Sequence, residues 1–356
     1  MADVKPFRAV RYGERAGPLE TLVAPPYDVI SPPERAELAA RSPYNVVHLT
    51  LPDEEAEAGR LWSEWHGDGV LRDEDEPSYW WLSQDYVGPD GVARTREGLV
   101  TALRAQPYED RVILPHERTH RGPKEGRLRL LREVRAELEP LFFLYEGPPP
   151  TSRPKRDPDL EVAGVRLWRL AADGILEAFA DRQLLIADGH HRYETALAYH
   201  REAGTADSAR VLAVLVSLDD PGLMIFPTHR LLQGVNGPSP THGDIASALR
   251  DLDAQPADQA RGVLYRRDRR IAMVEGKRGQ LDVELTDALE PEGVSYTASV
   301  DEAVATVDRG EADGALIVRP TRIEDVYARA REGQVMPQKT TYFYPKLVSG
   351  LLFLPL

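Results

Sequence analysis

The sequence predicts a mixed α/β fold, with α/β and α+β elements combined. Three observations predict it. Short apolar runs of strand character alternate with amphipathic helical stretches, and residues 78–103 carry the pattern of a hairpin. The third is a single apolar run, Leu184-Leu185-Ile186-Ala187, which passes through Asp188-Gly189 straight into a helical pattern.

The elements follow in chain order. Ala24-Pro25-Pro26-Tyr27-Asp28-Val29-Ile30 is a stiff extended loop, because proline fixes its own φ and restricts the residue before it. Ser31-Pro32-Pro33-Glu34 has the composition of a capped helix start, with helix over 35–41. Residues 45–51 alternate as a strand does, and 54–68 form a helix with Leu61, Trp62 and Trp65 on one face. In the hairpin, Tyr79-Trp80-Trp81-Leu82 leads one arm and Gly88-Pro89-Asp90-Gly91 turns the chain. The tryptophans are core residues. Residues 125–137 form an Arg-rich helix with Leu128, Leu131 and Val134 inward, and 141–145 form a short buried strand. Strands follow at 165–170 and 184–187, a helix at 190–203 ended by Gly204, and a strand at 211–218. Beyond residue 235 the patterns alternate, with examples at 245–252, 263–265, 271–274 and 314–318.

Pro, Arg and Ser crowd residues 147–158, the best linker or exposed loop. The expected organisation is an N-terminal α/β region over 1–146 with hairpin and basic loop, that linker, and a second α/β region over 159–356 packed with the first as one unit.

Charge and composition exclude several functions. Lys plus Arg total 44 against 58 Asp plus Glu, a net charge of −14. Such a surface repels the phosphate backbone of nucleic acids, so no nucleic-acid partner is expected, and any phosphate site must be a local positive pocket. The absence of cysteine removes disulfides, thiolate zinc sites and thiol nucleophiles, and fits a cytoplasmic protein. Residues 1–15 lack the apolar core of a secretory signal, and no run is long enough for a membrane span, so no membrane association is expected. Walker, Gly-x-Ser-x-Gly and dinucleotide fingerprints are missing.

The strongest functional signal is Asp188-Gly189-His190-His191-Arg192 at the strand-to-helix bend. Free amides of a first helical turn point outward, and the helix dipole adds partial positive charge. Gly189 admits a ligand close to the backbone, and Arg192 can grip phosphate through two parallel hydrogen bonds. Read structurally, the same residues are an Asp-capped helix. Cations in a first turn oppose the dipole, however, and an anion between them removes that conflict.

A second signal is Leu114-Pro115-His116-Glu117-Arg118-Thr119-His120-Arg121-Gly122-Pro123-Lys124-Glu125-Gly126-Arg127, in which eight of fourteen residues are His, Lys, Arg or Glu. It offers cations for an anion and carboxylates for a metal or a base. A third, Phe226-Pro227-Thr228-His229-Arg230, gains weight because five of the nine histidines lie in these three segments. The fourth, Met336 to Lys346, is hydroxyl-rich and carries Lys339 and Lys346; it either closes over a ligand or packs as a terminal strand. Asp28 is a candidate base or metal ligand, or else the polar residue of a rigid turn.

At these motifs the chain resembles the family known as domain of unknown function 1015. The resemblance runs from Pro6-Phe7-Arg8-Ala9 through Ala24-Pro25-Pro26-Tyr27-Asp28, Ser42-Pro43-Tyr44-Asn45, Pro115-His116-Glu117-Arg118-Thr119 and Asp188-Gly189-His190-His191-Arg192-Tyr193-Glu194-Thr195-Ala196. It ends at Met336-Pro337-Gln338-Lys339-Thr340-Thr341-Tyr342-Phe343-Tyr344-Pro345-Lys346. More distantly, the Asp-Gly-His-His-Arg bend is similar to the phosphate-binding turn of the ParB/sulfiredoxin-like superfamily, whose free serine kinases hold nucleotide phosphates there and activate serine with a carboxylate. The resemblance implies a ParB/sulfiredoxin-like core with large insertions and added C-terminal α/β elements. It matches Asp188 to Arg192 to the phosphate turn, and leaves Glu34 and Asp28 as candidates for the carboxylate. Sulfiredoxin chemistry needs a cysteine that this chain lacks, and a basic DNA-binding helix pair is absent.

The function expected is phosphoryl transfer between a nucleotide and a small hydroxyl metabolite, with free serine leading. A phosphoserine-type phosphatase and a non-catalytic nucleotide or phosphometabolite sensor are the alternatives. Asp188, Gly189, His190, His191 and Arg192 would hold phosphate with Arg118, Lys124, His229, Arg230 and Lys339. Asp28, Glu117 and His116 would be catalytic. Asp28 and Glu117 would hold Mg²⁺, with ADP or ATP as the nucleotide.

Overall fold

The computed structural model describes residues 1–117, 121–171 and 174–356, and for 121–123 the backbone only. The chain forms two compact units. One comprises Met1–Leu223 with Pro345–Leu356, and the other Met224–Tyr344.

In the first unit a helical layer comprises α1 (Pro32–Arg41), α2 (Val47–Thr50), α3 (Glu55–Gly67) and α4 (Arg121–Val134). Leu38, Val47, Trp65, Leu130 and Val134 bury their apolar sides together with Phe353. The start of α1 is as expected: the Glu34 carboxylate accepts from Ser31 N–H at 2.8 Å and from Ser31 Oγ at 2.7 Å.

Two expectations are corrected here. Residues 47–50 are helix, not strand. Asn45, fully buried, accepts from Val47 N–H at 3.0 Å and donates to Thr21 O at 2.8 Å, so a side chain bends the backbone into a helical start. The apolar alternation misled because Val46, Val47 and Leu49 are all buried. The Arg-rich helix also ends sooner, at Val134. Arg135 takes a left-handed φ of 54°, and Ala136–Glu137 then pairs as a strand with Leu354–Pro355.

Beside this layer lies a nine-stranded mixed sheet. Its order is Ile113–Leu114, Leu184–Asp188, Leu141–Tyr145, Arg210–Ser217, Ala93–Arg104, Tyr79–Val87, Val165–Leu170 and Leu160–Val162, with Val4–Lys5 pairing Ala93–Arg104 off that path. The hairpin holds as read, with Trp80 opposite Val100 and Trp81 opposite Leu99. Leu141–Tyr145 is buried throughout, parallel to Arg210–Ser217 and antiparallel to Leu184–Asp188. Such continuous burial needs both faces covered. On one face the short α5 (Ile175–Ala178) and α6 (His190–Ala203) pack Ile175, Tyr193 and Ala196 onto Phe143, Ile186 and Leu215. Gly204 ends α6 at φ 65°, as its position predicts.

The second unit carries a five-stranded antiparallel sheet, ordered Ile271–Arg278, Gln259–Arg266, Gly314–Val318, His229–Gln233, Gly293–Thr297. With it are α7 (Ile245–Ala254), α8 (Leu285–Ala288), α9 (Val300–Asp308) and α10 (Ile323–Arg331). Leu252, Val263, Ile271, Val307 and Ile317 form its core. Met224–Phe226 pairs with Tyr342–Tyr344, so the hydroxyl-rich segment does end in a strand. Among the described residues no helix is long and apolar enough to cross a membrane.

Candidate functional site

The apolar Leu184–Asp188 strand delivers its last residue to the surface, where Asp188 is 20% exposed and Gly189 is half-buried. Gly189 is the N-cap of α6, at φ 97° and ψ 24°, and no side chain caps the helix. An added Cβ there would stand 3.2 Å from Arg192 Nη2, on a backbone that side chains rarely adopt. The first helical bond runs from Tyr193 N–H to Gly189 O at 2.9 Å. The amides ahead of that bond are those a helix cannot satisfy within itself.

Asp188 does not cap the helix. Its Oδ1 pairs with Lys346 Nζ, and its Oδ2 accepts from Arg192 Nη2 at 3.2 Å. Burial pushes Asp188 upward, but Lys346 and then Arg192 outweigh it and hold the carboxyl below its ordinary range. Burial likewise works against charge on Lys346, and the Asp188 and Asp28 carboxylates reverse that and raise it. Arg192 Nη1 donates to Pro140 O at 2.8 Å. The buried Arg192 guanidinium is kept charged, against its own desolvation, by Glu139, Asp188 and Asp28.

Asp28 belongs to a single 3₁₀ turn, Tyr27–Val29, and is exposed. Tyr27 N–H donates to Glu139 Oε1 at 2.9 Å, and the Arg127 guanidinium lies 3.6 Å from the centre of the Tyr27 ring. Ser349 Oγ also donates to Glu139 Oε1, at 3.1 Å. Glu139 thus ties the Asp28 turn, the tail of the first unit and Arg192 to one edge of the bend. Behind it a cavity of about 40 Å³ is lined by Arg127, Glu137, Glu139, Arg192 and Thr195, among others. Burial pushes the Glu137 carboxyl up to about 8.

Two histidines close the other edge. His116 Nδ1 donates to Ile186 O at 2.7 Å, since a carbonyl can only accept, and His116 N–H donates to His190 Nε2 at 3.3 Å. The proton of His190 therefore sits on Nδ1. The rings meet edge to face, 4.6 Å apart. Desolvation lowers His116 to about 4 and His190 well below its ordinary value. Both are neutral near pH 7, so they act here as hydrogen-bonding groups and not as the cations their sequence position suggested.

Asp28, His116, Asp188, Gly189, His190 and Arg192 thus gather in the first unit. Glu117 follows His116 and is half-buried. Lys124 is paired with Glu194, on the second turn of α6. Arg118 lies outside the described residues. Glu34 is exposed, and its carboxylate is taken by the capping of α1. His229, Arg230 and Lys339 form a cluster in the second unit. His229 is buried and accepts from Val318 N–H through Nδ1 at 3.3 Å; desolvation, then Arg230, lowers it to about 4. Arg230 bonds to Thr228 O and, at 3.1 Å, to the Lys339 backbone carbonyl. Among the described residues no three His, Asp or Glu side chains are grouped as a metal would need.

Sequence reasoning passed over Glu139, the pairing of Arg127 with Tyr27 and the specific role of Lys346. The segment ending at Lys346 was visible, but the choice of lysine was not, because its partner is 158 residues away. Glu139 carries no local signal: it meets Tyr27 across 112 residues and Ser349 across 210.

A family profile described as "Protein of unknown function (DUF1015)" matches residues 4–301. No curated protein matches the sequence. Among solved structures, a free serine kinase in complex with AMP is similar at 15% identity and TM-score 0.36, over 69% of this chain and 86% of that one. A conserved hypothetical protein from Pyrococcus furiosus is similar at 17% identity and TM-score 0.35, over 69% and 90%. SbnI with C-terminal truncation from Staphylococcus aureus is similar at 11% identity and TM-score 0.37, over 70% and 85%.

Proposed function

Because the chain belongs to the DUF1015 family of proteins of unknown function, its activity has to be read from its own residues, and we propose that it binds the phosphates of a nucleotide at the start of α6 and transfers a phosphoryl group to a small hydroxyl compound. One observation carries the reading. The N-terminus of α6 has glycine as its cap and no side-chain cap bond, while Asp188 is drawn aside by Lys346 and Arg192. A helix start with a glycine cap that is partly exposed and two cations beside it suits an anion.

In this reading the amides following Gly189 hold phosphate oxygens, with Arg192 and Lys346 neutralising their charge. Neutral His190 adds a hydrogen bond on the side where His116 fixes its ring. Asp28 takes the proton of the acceptor hydroxyl. The acceptor oxygen then forms a bond to phosphorus as the bond to the leaving nucleotide breaks. Positioning and charge neutralisation supply most of the acceleration in such transfers. Mg²⁺ usually takes one or two carboxylates plus phosphate oxygens, and Asp28 and Glu117 are of the right kind. If bound with nucleotide, the ion would add positive charge at the phosphates. Free serine is the first acceptor to test, on the strength of the resemblance of the Asp188–Arg192 bend. The serine kinase bound to AMP describes that protein and not this one.

Phosphorus NMR tests the reading. Protein with ATP, Mg²⁺ and serine is expected to yield phosphoserine. Free phosphate from phosphoserine alone would mark a phosphatase instead, and nucleotide binding with no product in either tube would mark a sensor. In the kinase case Asp28→Ala is expected to lower turnover by about a hundredfold or more, the scale of a lost general base, with nucleotide affinity kept. Unchanged turnover in that variant removes Asp28 from the role.

A further inference from the structure

Arg96 stands on the Ala93–Arg104 strand with its side chain fully buried. A buried guanidinium loses strong hydration and needs acceptors in return. Its Nη2 donates to Gln84 Oε1 at 2.6 Å and to Pro345 O at 2.8 Å. Its Nε and Nη1 are buried with no hydrogen-bond partner. Burial lowers Arg96 to about 10. A methionine or leucine would fill the same space without orphaned donors, so packing alone gives no reason for a guanidinium. Its two bonds do.

Those bonds converge on one segment. Gln84, opposite Arg96 in the ladder, donates through Nε2 to Lys346 O at 3.1 Å. Two paired residues on neighbouring strands therefore hold the consecutive carbonyls of Pro345 and Lys346. The guanidinium also lies 4.6 Å from the centre of the Phe142 ring, and Phe142 is the register partner of Asp188. Both sides of the Lys346–Asp188 pair thus rest on Arg96: the lysine through its backbone, the aspartate through the residue beside it.

We propose that Arg96, together with Gln84, is a positioning residue of the anion site, fixing the Pro345–Lys346 backbone so that the Lys346 ammonium is held against Asp188 at the start of α6. Arg96 touches no ligand and acts through Lys346. The inference rests on reading the start of α6 as a phosphate site.

A double-mutant cycle on ADP binding, followed by calorimetric titration, tests it. Arg96→Met and Lys346→Met are each expected to weaken ADP by about tenfold, and the double variant no more than either alone. A residue that merely supports the fold would not show that coupling. Arg96→Lys, which still reaches one carbonyl, recovers part of the loss. Gln84→Met leaves the buried cation in place and is expected to weaken ADP in the same direction. If Arg96→Met does not fold, the cycle of Gln84→Met with Lys346→Met decides by the same criterion. Losses that multiply in the double variant, or an unchanged affinity in Arg96→Met, overturn the positioning role while the phosphate site stands. A wild-type protein that binds no ADP overturns the site and this role together.

Discussion

Protonation of His116 distinguishes the folded chain from the unfolded one. The unfolded imidazole takes up a proton near its ordinary 6.5, whereas the buried one resists until about 4. Stability from this residue is complete above pH 6.5 and is lost as pH falls from there toward 4, because only the unfolded chain gains the proton. The loss is on the order of 3 kcal/mol. Urea unfolding measured between pH 7 and 4 should show that decline, and His116→Gln should make it shallower, leaving the part carried by His190 and His229; an equally steep decline in the variant would place its origin elsewhere. Sequence alone singled out His116 and residues 188–192, since their types and spacing are local. It could not show that the histidines are neutral, because neutrality comes from the strands packed around them. Nor could it find Glu139 or Arg96, whose partners lie far away in the sequence.

At the level of the element, the bend into α6 depends on one backbone angle. Gly189→Ala would keep φ at 97° only under strain and would press a methyl against Arg192. The expected cost is about 1–2 kcal/mol of stability, with loss of ADP binding; a variant that binds ADP as wild type does would show that the amides after residue 189 are not the contact. Helix α1 makes the opposite case. Glu34, one of the two carboxylates that the resemblance left open, serves Ser31 at the start of that helix. Glu34→Gln should therefore lower thermal stability slightly and leave phosphoryl transfer intact; a large fall in turnover at unchanged stability would return Glu34 to the site. Strong patterns such as the hairpin, α3, α6 and the Leu141–Tyr145 strand could be read directly, because their periodicity is set by burial of one face or of both. The strand assigned to 45–51 failed because Asn45 satisfies the local backbone with its own side chain, which overrides alternation.

On the scale of the whole molecule, Asp28, His116, Asp188, Arg192 and Lys346 all belong to the unit built from Met1–Leu223 and Pro345–Leu356. Saturating ADP should stabilise that unit first, by about 2.7 kcal/mol at a hundredfold excess over Kd. Hydrogen exchange resolves it: amides of the Leu184–Asp188 strand and α6 should gain protection, and gains confined to Met224–Tyr344 would move the nucleotide to the other unit. No sequence pattern announced the return of the chain, because a twelve-residue tail without a periodic signature leaves nothing to read.

That return sets an order of events during synthesis. The strand, the glycine bend and α6 are made by residue 203, yet the lysine that draws Asp188 aside arrives 143 residues later, after the whole of Met224–Tyr344 has been translated. At about 5–20 residues per second, ribosomes leave that aspartate without its lysine for roughly seven to thirty seconds. A nascent chain halted anywhere in the interval carries the strand, the bend and the helix but not this cation, so an anion site of the proposed kind would gain its lysine only after residue 346 has been made.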